Sequence, residues 1–168
     1  MPNTFKLIES KTLTSNQSAI EFTSIPQTYT DLCVLLSARS TRSSPADVVI
    51  RFNNSSSNLV NARFAVFTSS GAFTDSSEHT NHSSAFASAN TFSNTIYYVY
   101  NYTTSKYKTW TVDNAAANDG TNGVFTYGCG TWENTAAVTS VKITDIADGG
   151  VNNLITNSTA YLYGILKA

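Results

Sequence analysis

Charge is what this chain has least of. Acidic and basic residues make up 12% of it, 10 Lys and Arg against 11 Asp and Glu, about half the share of a typical globular domain. The net charge is −1 and Lys and Arg form no cluster, so nothing offers a phosphate backbone its electrostatic footprint and nucleic acid is not an expected partner. Histidine and cysteine are nearly as scarce, 2 of each, which leaves acid–base and metal chemistry few residues to use. His79 and His82 lie in Glu78-His79-Thr80-Asn81-His82, without the H-E-x-x-H arrangement or the third and fourth ligands that a zinc site needs. They read as exposed loop histidines. There is no G-x-S-x-G elbow for a serine nucleophile and no paired acidic motif for glycoside hydrolysis. The expectation is a non-enzyme with no catalytic, cofactor-binding or metal residues, and no cofactor.

Long apolar runs are missing too. No stretch approaches the roughly 20 residues of a membrane-spanning helix, so no membrane partner is expected. The first ten residues, MPNTFKLIES, lack the basic-then-apolar layout of a secretory signal, which points to folding in a cytoplasm. Cys33 and Cys129 are then expected as free thiols, Cys33 as a small hydrophobe inside the most apolar segment of the chain.

What the chain has instead is polarity without charge, together with aromatics. Ser, Thr and Asn supply more than a third of the 168 residues, and 9 Tyr, 9 Phe and 2 Trp oppose disorder, because disordered chains are poor in aromatic residues. The length suits one domain over residues 1–168, with enough buried surface for its own core. Apolar residues recur with a period of two, and nowhere hold a 3.6 period over three turns, so the expected fold is all-β: a β-sandwich, jelly-roll-like, of about eight or nine strands. The candidates are Thr4 to Glu9, Ala19 to Thr23, Asp31 to Ala38, Asp47 to Phe52, Ile96 to Tyr102, Tyr107 to Asp113, Val124 to Tyr127, Val138 to Thr144 and Thr159 to Leu166. The first and last should lie side by side.

Between Phe22 and Asp31, Pro26 has no N–H to give a ladder, so the chain must turn a corner there before the run Leu32-Cys33-Val34-Leu35-Leu36, which reads as a strand covered on both faces. Pro26, Tyr29 and Asp31 are assigned to that corner, with Asp31 accepting backbone N–H bonds. Asn118-Asp119-Gly120-Thr121-Asn122-Gly123 is the strongest hairpin signal and joins the Tyr107 and Val124 strands.

Two features suggest contact surfaces. Tyr98, Tyr100 and Tyr102 alternate along one segment and Trp110 follows on the next, giving an aromatic face that serves core or subunit interface in preference to stacking on sugar rings. The polar stretch at about 68–94 carries Phe73, Phe86 and Phe92 without clear periodicity and reads as a loop, or as two short edge strands and a loop, of the kind that often carries function. All seven residues are candidate interface or ligand contacts.

Two segments, Leu7 to Leu32 and Tyr127 to Leu166, carry a resemblance to a known family. The first contains an F-x-x-I-P-x-T-Y-T-D-L element (Phe22, Ile25, Pro26, Thr28, Tyr29, Thr30, Asp31, Leu32) and the second an L-Y-G-I element (Leu162, Tyr163, Gly164, Ile165). Together they resemble a group of small virion proteins of tailed bacteriophages, common in marine phages, whereas Asn53 to Gly123 resembles nothing. The resemblance implies a virion structural protein that assembles in the host cytoplasm, a capsid (head) decoration or knob protein docked on the major capsid protein, or alternatively a tail-associated fibre or adhesin domain that binds host surface glycan. The small, self-contained single domain without a long repetitive shaft favours the head protein and suggests a homo-oligomer such as a trimer. No catalytic residue carries over.

Overall fold

The computed structural model describes residues 4–42, 46–55, 59–68, 71–75, 80–82, 89–118, 122–145 and 152–166. These residues form no helix and twelve strands: β1 (Phe5–Thr12), β2 (Ala19–Phe22), β3 (Asp31–Ala38), β4 (Ala46–Phe52), β5 (Leu59–Thr68), β6 (Gly71–Asp75), β7 (Thr80–His82), β8 (Ser93–Val99), β9 (Lys108–Asn118), β10 (Asn122–Trp132), β11 (Val141–Asp145) and β12 (Thr159–Ile165). All nine segments expected from the sequence overlap strands, although Tyr100 to Tyr102 fall beyond the end of β8 and Val138 to Ser140 before the start of β11. The three additional strands, β5 to β7, fall in the middle of the chain, and β6 and β7 are short edge strands within the polar stretch that begins at Thr68.

Every ladder is antiparallel, in one eight-stranded sheet of order β1-β12-β3-β8-β9-β10-β5-β6 and one four-stranded sheet of order β2-β11-β4-β7. The pairing is that of a long hairpin rolled up on itself. β1, β2, β3 and β4 pair in turn with β12, β11, β8 and β7, so four strands of the larger sheet face the four of the smaller one. This is the connectivity of a jelly roll. The hairpins β5–β6 and β9–β10 are additions to it, joined to β8 through β9, and they double the width of one sheet.

The core lies between the sheets because the strand period of two sends alternate residues there. Ile20 and Phe22 of β2, Val48, Ile50 and Phe52 of β4, and Val141 and Ile143 of β11 meet Leu32, Val34 and Leu36 of β3, Tyr97 and Val99 of β8, and Trp110 and Val112 of β9. The Phe52 and Trp132 rings, from opposite sheets, lie 5.6 Å apart. Cys33 is buried and Cys129 exposed, both as free thiols.

The Pro26 corner carries the chain from the smaller sheet to the larger. Ile25 is buried and its N–H donates to Thr139 O at 3.0 Å. The Tyr102 hydroxyl donates to Pro26 O, and Thr30 N–H donates to Ile165 O at 2.9 Å. Tyr29 lies against Gly164 so closely that any Cβ there would enter its ring. The I-P-x-T-Y-T-D-L and L-Y-G-I elements are thus the two halves of one packed corner.

Candidate functional site

One face of the eight-stranded sheet packs on the smaller sheet, and register fixes what the other face presents. Paired residues on adjacent strands share a side. One row across the outer face therefore reads Ser10, Tyr161, Leu35, Ile96, Asp113 and Tyr127, from β1 through β10. The next reads Leu7, Tyr163, Cys33, Tyr98, Thr111 and Cys129. Phe5, Tyr100 and Phe125 flank these rows.

Nine large apolar side chains stand exposed among the described residues. Seven of them are on this one face: Phe5 (54%), Leu7 (49%), Ile96 (47%) and Tyr127 (57%), with Tyr100, Phe125 and Tyr161. Tyr107 and Leu166 lie at strand ends beside it. Leu35, Ser37, Asn94, Ile96 and Tyr161 line a shallow depression of about 300 Å³ near its middle. Scattered apolar exposure is ordinary on a protein surface, but concentration on one face marks a binding surface.

The face is aromatic and nearly uncharged. From β1 through β10 its charges are Asp31 and Asp113, and the register adds Arg63 of β5 opposite Cys129. Asp31 is engaged: Oδ2 accepts the Tyr98 hydroxyl at 2.9 Å and Oδ1 accepts Asn101 N–H at 2.7 Å. Burial, then the hydrogen bond to Asp31 and the nearby negative charge, push the Tyr98 phenol up to about 12. It is therefore a neutral donor at any physiological pH. Cys33 sits in the same row between Tyr163 and Tyr98, and burial pushes its thiol up to about 11. Such a thiol is not a nucleophile at neutral pH.

The outer face of the four-stranded sheet is different. Its central row is Glu21, Lys142 and Arg51, side by side on β2, β11 and β4.

The residues expected to make contacts divide. Tyr98 and Tyr100 belong to the outer face, their rings 4.6 Å apart. Tyr102 and Trp110 do not, and this corrects the expectation of a continuous aromatic face. β8 ends at Val99 and the chain turns, so alternation stops before Tyr102, which is fully buried. Trp110 is opposite Val99 in the ladder and shares its inward side, 1% exposed, against Tyr97. Phe73 is on β6, where its backbone pairs with Val66. Phe92 is half-buried just before β8. Phe86 lies outside the described residues, as does His79.

β3 is also less enclosed than its apolar run suggests: the neighbours that cover Cys33 are cross-strand tyrosines of its own sheet. The members of the face that reading the sequence missed, chiefly Ile96, Tyr127, Phe125 and Tyr161, occupy the non-core parity of their strands. The available signal was apolar residues on both parities of β8 and β12.

Among the described residues no group of three His, Cys, Asp or Glu side chains is placed to hold a metal ion. No helix there is long and apolar enough to cross a membrane. Asp113 stands in its row between Ile96 and Tyr127. No protein-family model and no curated protein matches this chain.

Proposed function

We propose that this chain is a non-enzymatic structural protein of a bacteriophage virion, of the capsid decoration or knob type, and that it self-associates through the outer face of its eight-stranded sheet. The observation that carries the reading is the gathering of seven exposed large apolar side chains on a face whose strands β1 through β10 place only Asp31 and Asp113 among them. Interface centres favour aromatic residues and exclude charge, and such a face meets a copy of itself without strong like-charge repulsion. Association by strand addition is less favoured. β1 is the described edge on one side, and it carries a bulge between Leu7 and Glu9 together with Lys6 and Lys11, devices that discourage edge pairing.

The phage assignment rests on the resemblance of the two terminal elements, and their meeting in one corner supports treating them as a single motif. The major capsid protein is the partner that a head decoration protein would dock on.

Sedimentation velocity of the purified chain is the first test. It should associate at about 0.1 mM, where a micromolar dimer is well populated. A variant carrying Ile96→Lys and Tyr161→Lys should be monomeric with an unchanged β circular-dichroism spectrum. A wild-type chain that stays monomeric at that concentration would defeat the self-association. Gel analysis of mildly dissociated virions then tests the location, and recovery of the chain with tails alone would remove the head assignment.

A further inference from the structure

The loop from β8 to β9 holds a second site, at the margin of the sheet face and sharing Tyr100 with it. Tyr100, Asn101, Thr104, Lys106, Tyr107 and Thr109 line a depression of about 290 Å³. Tyr100 and Tyr107 are 39% and 57% exposed, whereas the third tyrosine of the loop, Tyr102, is buried and anchors it from behind through Pro26 O.

The loop is heavily tied. Tyr100 N–H donates to Thr109 O at 2.9 Å, Asn101 N–H to Asp31 Oδ1 at 2.7 Å, and both the N–H and the hydroxyl of Thr104 to Asn101 O, at 3.1 and 2.9 Å. Val138 N–H closes on Tyr102 O at 2.9 Å. The buried Lys108 reaches back along the loop to donate to Lys106 O at 2.6 Å. Two exposed rings are thus held on a pre-ordered backbone, which lowers the entropy lost on binding.

The lining sorts ligand chemistries. Tyrosine rings offer apolar faces for a flat C–H surface, while the Asn101 amide and the Thr104 and Thr109 hydroxyls offer donors and acceptors for vicinal hydroxyl groups. That combination suits a pyranose ring. The lining contains one cation, Lys106, and no carboxylate. A single ammonium matches a single carboxylate substituent, and it is too little for a polyphosphate.

We propose that this loop binds a saccharide bearing an acidic group, a uronic-acid unit of a polysaccharide, with the sugar ring against Tyr107 and Tyr100 and its carboxylate at Lys106. The site shares Tyr100 with the sheet face, but neither Ile96 nor Tyr161, the residues substituted to break the sheet-face contact, lines it, so the two contacts are tested separately.

Affinity electrophoresis through gels containing polygalacturonate, dextran or polyphosphate tests this directly. The wild-type chain should be retarded by polygalacturonate and pass freely through the other two. Tyr107→Ala and Lys106→Ala should each lower apparent affinity about tenfold, the equivalent of one lost stacking or charge-assisted contact. Tyr107→Phe should retain it, and melting temperatures should not move, since both side chains are exposed. No retardation by polygalacturonate, equal retardation by dextran or polyphosphate, or a Tyr107→Ala chain that binds like wild type would each overturn the proposal.

Discussion

Gly164 is the position where a single atom decides most. A Cβ there would enter the Tyr29 ring, and another at Gly130 would stand 2.5 Å from Cζ2 of Trp110, whereas a Cβ at Gly123 would reach nothing nearer than Ala116 O at 4.0 Å. Gly164→Ala should therefore cost about 1–3 kcal/mol by overpacking. Gly123→Ala should leave stability unchanged or raise it by about 0.5 kcal/mol, since glycine inside a strand costs that much relative to alanine. Urea unfolding of the two variants checks the contrast, and equal midpoints would mean that Tyr29 does not pack as described. The corner itself was legible in the sequence, because a proline without an N–H forces a turn and Asp31 is the residue type that caps one. Its partner was not: nothing local to Gly164 says that the ring it accommodates lies more than a hundred residues earlier in the chain. Tyr102 and Trp110 fail for a related reason. Alternation assigns sides only within an unbroken strand, and a turn after Val99 resets the count.

Strand identity was read well where core parity is clean, as in β8 and β11, whose burial alternates residue by residue, and in β12 as far as Gly164. Pairing order is a different matter, since the rolled hairpin joins strands far apart in sequence and no local pattern encodes it. One contact between elements makes this order measurable. The Tyr98 hydroxyl on β8 donates to the Asp31 carboxylate at the start of β3, and the phenol is held at about 12 against an ordinary 10.0. The folded chain therefore keeps a proton that the unfolded chain loses. The stability linked to it is present in full below about pH 10 and is lost as the pH rises through about 12. Cys33, raised from 9.0 to about 11, and Tyr102, also raised by burial, act in the same sense. Lys108, whose burial lowers it from 10.5, acts in the opposite sense, and its contribution is complete by that value. Urea midpoints should fall from neutral to strongly alkaline pH, and Tyr98→Phe should flatten that fall. Identical slopes for wild type and Tyr98→Phe would sever the phenol from the effect.

The whole molecule is a jelly roll with two unlike outsides: an aromatic, weakly charged face on the wide sheet and a row of alternating charge on the narrow one. The composition announced a polar surface with little charge, but only the fold decides that the spare aromatics gather on one side while Glu21, Lys142 and Arg51 line up on the other. That division sets the salt response of any self-association. Between about 0.1 M and 1 M salt the screening length falls from about 10 Å to about 3 Å, which weakens contacts between exposed charges and leaves apolar burial intact or stronger. Association through the wide face should therefore hold its equilibrium constant, or tighten, across that range in sedimentation experiments. Association through Glu21, Lys142 and Arg51 would instead weaken steadily as salt is added, and a tenfold loss would move the contact to the narrow sheet. Arg51→Ala offers the complementary reading: it should leave the association constant unchanged, because it removes a charge from the side that the proposed contact does not use.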